Sequence, residues 1–245
     1  MISPIATGIS AGLGVAACAG IAAGVYAYAS LWPDSRLFGT ALTAPPRPGE
    51  LAFTFDDGPN ATWTPKLLDI LARHQVKATF FVLGERAKVH PELVQRTVKA
   101  GHLIGNHSWD HPNMARSTPE VIREQITRTQ DMLEQITGTE VKFFRPPYGA
   151  RKPVVFQIAR ELGLNVVLWN AMTTDWSDPS PQRIALRLTD KIERQRQKGH
   201  AANIVLHDGG HGDPAANRIA SVVATEKLID LYKGKVQFVK LDAWA

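Results

Sequence analysis

Two adjacent carboxylates follow a short apolar segment of the chain. Leu51–Phe55 consists of apolar and β-branched residues, and it runs directly into Asp56, Asp57 and a Gly-Pro pair. This pattern predicts a buried β-strand that ends at a turn and presents both aspartates at its C-terminal end. Two acids in one cleft rarely perform the same task. If a metal ion binds one of them, the other stays free to act as a base.

A pair of histidines about fifty residues further on supplies candidate metal ligands. His107 and His111 are four residues apart, a spacing that places both imidazoles on one face of a helical turn. Together with one aspartate they would form a three-ligand set with an open coordination position, which is typical of a catalytic zinc site and not of a closed structural one. Each of these two short patterns also occurs in many proteins without a metal, so their combination matters more than either alone.

Apolar, strand-like segments alternate with helical patterns from residue 50 onward, which indicates a parallel sheet that is either closed into a barrel or doubly wound. In both architectures, functional residues collect at the C-terminal ends of the strands. The residues that could take part in catalysis or metal binding all follow predicted strands: Asp56, Asp57, His107, His111, Arg145, Asp175 and His207. Glycines close five of the helical patterns, where a left-handed residue is favoured: Gly101, Gly138, Gly163, Gly199 and Gly234.

Five segments, taken in order, resemble the motifs of the polysaccharide deacetylases, the NodB-like carbohydrate esterases of family four. They are Thr54–Gly58, His107–His111, Arg145–Gly149, Asp175–Trp176 and Leu206–His207. The resemblance covers about residues 50 to 242. It implies a distorted (β/α)7 barrel, here preceded by a hydrophobic N-terminal helix. It also implies a divalent metal ion that is usually Zn²⁺, and hydrolysis of N-acetyl or O-acetyl groups on sugars.

The resemblance also implies roles for five residues at the centre of the site. Asp57, His107 and His111 correspond to the metal ligands. Asp56 resembles the general base that takes a proton as water attacks the acetyl carbonyl, and His207 resembles the general acid that protonates the departing amine.

Two further residues resemble partners of that base and acid. Arg145 corresponds to the residue that pairs with Asp56 and keeps its carboxylate ionised and oriented. Asp175 corresponds to the partner of His207 and would favour the imidazolium that the acid step requires.

The resemblance further assigns the substrate-binding wall. The backbone N–H of Tyr148 would receive the charge that develops on the carbonyl oxygen, and Trp176 and Leu206 would surround the acetyl methyl group. The glycine-rich loop 208–214 departs most from the family pattern. We expect Asp208 in it to be a turn or supporting residue and not a metal ligand.

The first 33 residues differ in composition from the rest of the chain. Residues 1–33 contain no Lys, Arg or His and no acidic residue, and Ile5–Trp32 is long enough to cross a bilayer. We therefore expect a membrane anchor, or alternatively a cleaved signal segment, over residues 1–33, with the catalytic domain outside the cytoplasm. Residues 34–49 are rich in proline and predict a stiff linker, and residues 50–245 form the deacetylase domain.

Composition excludes several other classes of protein. The single cysteine, Cys18, excludes an internal disulfide framework and a cysteine-rich zinc site. The net charge is +5 and the isoelectric point is near 9.4, but the basic residues are interspersed with acidic ones along helices. No recognised nucleic-acid-binding motif accompanies the charge, so we expect no nucleic-acid partner.

The leading hypothesis is a metal-dependent hydrolase that deacetylates a cell-envelope or environmental glycan such as peptidoglycan or chitin. One alternative is a deformylase of a lipid-linked amino sugar. Two histidines and a carboxylate also match the facial triad of non-haem iron oxygenases, although a base and an acid would have no evident task there. A membrane-tethered glycan-binding module without catalysis is the remaining alternative, and it would require a broken motif.

Overall fold

The computed structural model of this protein describes residues 20–245. In chain order the described elements are α1 (residues 20–31), β1 (Glu50–Gly58), α2 (Trp63–Arg73), β2 (Thr79–Val82), α3 (Gly84–Val89), α4 (Pro91–Lys99), β3 (Leu103–Asn106), α5 (Pro119–Thr137), β4 (Phe143–Phe144), α6 (Pro153–Glu161), β5 (Asn165–Val166), β6 (Ala171–Met172), α7 (Pro181–Gln197), β7 (Ala202–His207), α8 (Ile219–Tyr232) and β8 (Gln237–Val239). Short 3₁₀ turns cover Pro147–Gly149 and Leu241–Ala243.

The strands form one curled parallel sheet with the order β5-β4-β3-β2-β1-β7-β6, and β8 pairs with the beginning of β1. Every paired strand runs parallel to its neighbour. Helices connect most successive strands, as parallel pairing requires. This architecture confirms the predicted distorted (β/α)7 barrel. The sequence patterns did not predict the two-residue strand β6 or the short helix α3.

The alternation of side chains along β1 separates the core from the functional site. Phe53 and Phe55 lie in the main hydrophobic cluster, where they meet residues of the surrounding helices such as Leu71. Thr54 and Asp56 point to the other side of the strand, where both accept hydrogen bonds from Arg145. The outer face of β1 is therefore a packing surface, while its inner face carries polar groups into the barrel.

The predicted helix ends agree with the structure at most positions. All five glycines expected to close helices have positive φ angles, between 67° and 82°. Thr118 and Ser180 cap α5 and α7, because each side chain accepts a hydrogen bond from a backbone N–H in the first turn. Helix α2 begins at Trp63, and the Thr64 hydroxyl in its first turn donates to Asp208.

The predicted membrane anchoring is wrong. Among residues 20–245, no helix combines the length and the apolar character needed to cross a membrane. The C-terminal end of α1 contacts the folded domain instead. Tyr26 donates a hydrogen bond to the backbone of Ala115, and the buried Arg151 donates to the carbonyl oxygens of Ser30 and Trp32. Residues 1–19 of the proposed anchor lie outside the described residues.

The proline-rich segment that follows α1 contacts the barrel. Leu42 pairs with Val167 in a parallel bridge just after β5, and Phe38 packs against the cluster beneath α6. Domain boundaries at residues 33 and 49 stay predictions.

Candidate active site

The residues singled out by their position after strands converge on one end of the barrel. Asp56 and Asp57 lie in the last part of β1, and His107 directly follows β3. Arg145 follows β4, and His207 is the last residue of β7, paired in register with Asp56. Because all these strands are parallel, their C-terminal ends meet around one cavity of about 450 Å³.

Asp57, His107 and His111 form a buried cluster suited to a metal ion. One ligand atom from each of Asp57, His107 and His111 lies within 4.8 Å of the others. The Oδ1 atom of Asp57 is 3.4 Å from Nε2 of His107 and 3.3 Å from Nε2 of His111. All three side chains are buried.

The hydrogen bonding of this cluster fits a cation between the three side chains. The Nδ1 of His107 lies 2.8 Å from the backbone carbonyl of Arg145, so it must carry the proton and leave a lone pair on Nε2. Burial is the main cause that lowers the pKa of His111 to about 3, which keeps its imidazole neutral. Asp57 Oδ1 is buried without a hydrogen-bond partner. Lone pairs that face one another without a donor are the arrangement a divalent metal requires.

Electrostatics keep the ligand carboxylate ionised. Burial alone would raise the pKa of Asp57, but the neighbouring His107 and His211 side chains outweigh it and hold the pKa well below its usual range. A charged oxygen and two imidazole nitrogens suit zinc and several other first-row metals.

Backbone strain is concentrated around the same cluster. Asp57, Ser108, His111 and Tyr148 have φ angles between 58° and 73°, in the left-handed region that non-glycine residues rarely occupy. Each such residue costs roughly 1–3 kcal/mol unless the surrounding structure enforces it. Four of them around one cavity indicate that the fold is holding these side chains in specific orientations.

The second aspartate of the pair has a different environment. The Asp56 Oδ1 atom accepts a hydrogen bond of 2.7 Å from the guanidinium of Arg145, which is fully buried and lies over the ring of Phe81. The same guanidinium nitrogen donates to Thr54 at 2.8 Å. Burial lowers the pKa of Arg145, and the nearby Asp56 charge opposes that shift. The pair is therefore a short, buried ion pair that orients the Asp56 carboxylate beside the cluster.

A histidine and an aspartate form the second acid–base pair. His207 Nδ1 is 2.8 Å from Asp175 Oδ1, while Asp175 Oδ2 accepts hydrogen bonds from the His207 backbone N–H and the Ser221 hydroxyl. Burial opposes protonation of His207, but the charge and hydrogen bond of Asp175 prevail and raise the pKa of the imidazole to about 9. His207 is therefore protonated at neutral pH, with Nε2 available as a proton donor.

The cavity wall agrees only in part with the predicted substrate-binding residues. Tyr148 and Trp176 line the cavity, and each is about half exposed. Leu206 does not line it: its side chain is fully buried in the hydrophobic cluster between the sheet and the helices. Successive residues of a strand face opposite sides, so Val205, which shares the face of His207, provides the apolar wall that was assigned to Leu206.

His211, for which the sequence predicted no role, lies in the glycine-rich loop after β7. Its ring stacks on His111 with centroids 4.0 Å apart, and its Nδ1 atom is 3.3 Å from Asp57 Oδ2. The expectation for Asp208 agrees with the structure. Its carboxylate lies behind the site, accepts a hydrogen bond from Thr64, and is absent from the metal cluster. Burial raises the pKa of Asp208 to about 7.

Comparison with known proteins places this architecture and site in a family. The family model described as polysaccharide deacetylase matches residues 43–167, about half of the chain. The chain belongs to the polysaccharide deacetylase family. A peptidoglycan-N-acetylglucosamine deacetylase of Bacillus cereus is 38% identical over 202 residues, which covers 82% of this chain and 70% of the relative. The deacetylase PgdA of Listeria monocytogenes is 42% identical over 158 residues, covering 64% of this chain and 32% of that protein.

Solved structures of this polysaccharide deacetylase family include both active and inactive members. A peptidoglycan N-acetylglucosamine deacetylase aligns with a TM-score of 0.72 and 37% identity, over 83% of this chain and 91% of the other. A family pseudoenzyme from Bacillus anthracis also aligns with a TM-score of 0.72, at 28% identity, over 82% of this chain and 66% of the other. Overall similarity therefore does not separate enzyme from pseudoenzyme, and the arrangement of the site residues has to carry that distinction.

Proposed function

We propose that this polysaccharide deacetylase is a metal-dependent hydrolase that removes N-acetyl groups from glucosamine units of a cell-wall glycan. The observation that carries the proposal is the convergence on one cavity of a metal-compatible cluster, a carboxylate paired with arginine, and a histidine protonated at neutral pH. N-acetylated peptidoglycan is the first candidate substrate, because several similar proteins bear the names of peptidoglycan deacetylases. Chitin oligomers are the second, since a chitooligosaccharide deacetylase of Azorhizobium caulinodans is 35% identical.

The three clustered residues would hold the ion. Asp57, His107 and His111 supply one oxygen and two nitrogen ligands, and Zn²⁺ is the proposed metal. When bound, the ion would polarise the acetyl carbonyl and lower the pKa of a water molecule beside it.

The remaining residues divide the proton transfers between them. Asp56, held in place by its ion pair with Arg145, accepts a proton as water attacks the acetyl carbon. His207 donates the proton from Nε2 to the amide nitrogen, so that the sugar leaves as a neutral amine and acetate is the second product. Asp175 keeps the imidazole oriented and charged for that step.

The cavity wall would orient the acetyl group. Val205 and Trp176 offer apolar surface for the methyl group, and the turn at Tyr148 brings a backbone N–H to the same rim for the developing oxyanion. The indole of Trp176 lies edge-on to the His207 ring with centroids 5.0 Å apart, which places the methyl pocket next to the proton donor.

Acetate release is the direct test of this function. The full chain loaded with Zn²⁺ is incubated with N-acetylglucosamine oligomers and with purified peptidoglycan, and acetate and formate are quantified separately. We expect acetate without formate, under air and under nitrogen alike. Formate as the main product would instead support a deformylase, and dependence on oxygen would support an oxygenase.

A matched variant separates catalysis from simple binding. Asp56→Asn keeps the size of the side chain and leaves the three proposed ligands in place. We expect its affinity for the oligomer to stay within about threefold of the parent while turnover falls by 10²-fold or more, the scale of a lost general base. A parent protein that binds oligomers and releases no acetate would indicate a glycan-binding module.

A further inference from the structure

His211 makes two directed contacts at the rim of the site. Its Nδ1 atom lies 3.3 Å from Asp57 Oδ2, and its Nε2 atom lies 3.2 Å from the hydroxyl of Tyr148. The Oδ2 atom is the carboxylate oxygen that the metal-compatible cluster leaves unused, since Oδ1 faces His107 and His111. His211 therefore contacts the ligand carboxylate through the oxygen that does not face His107 and His111.

The contact with Asp57 fixes a proton on one ring nitrogen. The carboxylate of Asp57 can only accept, so Nδ1 of His211 carries a proton and donates it to Oδ2. Nε2 lies within hydrogen-bond distance of the Tyr148 hydroxyl, so His211 joins the turn after β4 to the end of β1.

The backbone around His211 is fixed by arginines on two sides. The Nε atom of the nearly buried Arg218 donates to the carbonyl of Gly209 at 2.6 Å. Arg86, in α3, donates to the carbonyls of Gly210 and His211 at 3.1 and 3.2 Å. These long-range hydrogen bonds hold the loop in place, and they thereby position the His211 imidazole over His111.

We propose that His211 is a positioning residue for the metal site. Its Nδ1–H occupies Asp57 Oδ2, so that the carboxylate offers only Oδ1 to the ion, and its ring covers His111 from the solvent side. Residues that orient a ligand in this way commonly contribute 10–100-fold to metal affinity. The inference depends on the proposed metal-dependent function and adds to it a fourth side chain outside the three-ligand set.

Paired substitutions separate the hydrogen bond from the ring stacking. His211→Phe keeps an aromatic ring against His111 and removes both hydrogen bonds. His211→Asn removes the ring but retains an N–H donor near the position of Nδ1. His200→Ala serves as the control, because His200 is an exposed histidine outside the site. Zn²⁺ affinity of each full-length variant is measured by competition with a chromogenic chelator, and folding is verified by thermal melting.

We expect Zn²⁺ to bind His211→Phe about 10–100-fold more weakly than the parent, His211→Asn to recover at least part of that loss, and His200→Ala to match the parent. Equal affinity of the parent and the Phe variant would overturn the proposal, as would equal losses in the Phe and Asn variants. The readout is independent of turnover: a parent protein whose Zn²⁺ affinity depends on His211 but that releases no acetate would refute the proposed function and leave this inference standing.

Discussion

Replacing Asp175 with asparagine should move the pH range in which the enzyme works. The charge and hydrogen bond of Asp175 outweigh burial and, with smaller contributions from Asp57 and Asp56, raise the pKa of His207 to about 9, against an ordinary value near 6.5. The difference of about 2.5 units corresponds to about 3 kcal/mol. An asparagine also cannot accept from His207 Nδ1–H, the His207 backbone N–H and the Ser221 hydroxyl together, because one side of its amide is a donor.

The consequence for activity follows from the protonated fraction of His207. At pH 7.5 nearly all imidazoles with a pKa of about 9 carry the proton, whereas only about one in ten does so with a pKa near 6.5. We therefore expect kcat/KM of Asp175→Asn to fall by at least about tenfold at pH 7.5 and its alkaline limb to shift downward by about two units. A bound cation opposes the influence of the nearby carboxylates on His207, so the alkaline limb of the parent should lie at or below pH 9.

The assay is acetate release from an N-acetylglucosamine oligomer between pH 5 and 10, with Asp178→Asn as the control. Asp178 lies three residues away but pairs with Arg183 and Arg187 and does not contact His207. An Asp175→Asn enzyme whose alkaline limb coincides with that of the parent would refute the assignment of His207 as a proton donor supported by Asp175.

The same ion pair predicts a pH dependence of stability. The folded-state pKa of His207 lies above the unfolded value, so its contribution is fully present below about pH 6.5 and is lost as pH rises toward 9. The melting temperature of the parent relative to Asp175→Asn should therefore decline across that interval.

Two further predictions concern the cavity wall and the turn after β1. Leu206→Ala should lower the free energy of unfolding by about 2–5 kcal/mol in chemical denaturation and leave KM unchanged, because Leu206 is a core residue. Val205→Ala should raise KM for the acetylated oligomer and cost less stability, because Val205 lines the cavity. The opposite assignment of the two effects would contradict the observed strand orientation. Gly58→Ala should lower both the melting temperature and the Zn²⁺ affinity, because a Cβ atom there would approach the Asp208 carboxylate within 3 Å. A variant with the parent's melting temperature and affinity would show that the turn accommodates the extra atom without cost.

The sequence could predict the parts of the site that depend on strand direction. Each functional residue follows an apolar segment, and parallel strands bring such positions to one end of a sheet. Helix ends could also be predicted from the sequence, because the left-handed conformation of Gly138 and the other closing glycines depends only on local backbone geometry. Strand β6 could not be predicted, because the two residues Ala171–Met172 are too few to show the alternating pattern of a strand.

The misassigned wall residue could have been avoided from the sequence. If His207 faces the cavity, strand alternation requires Leu206 to face away from it and Val205 to face the same side. The position of His211 could not be derived in this way. It depends on Arg86 and Arg218, which hold the loop from distant parts of the chain. No local pattern encodes such contacts.

The expected membrane segment shows the limit of composition as evidence. Length and the absence of charge describe what a segment could do in lipid. They carry no information about Arg151, whose hydrogen bonds to Ser30, Trp32 and Ser35 attach the end of α1 to the barrel.

In the proposed mechanism, deacetylation requires one ion held by Asp57, His107 and His111. The most direct measurement is titration of chelator-stripped protein with Zn²⁺, following bound metal and acetate release from an N-acetylglucosamine oligomer together. We predict that activity returns in proportion to bound metal and saturates at one ion per chain, and that His107→Ala neither binds Zn²⁺ tightly nor recovers turnover. Full activity in the stripped protein, or in a His107→Ala protein that binds no metal, would contradict the account.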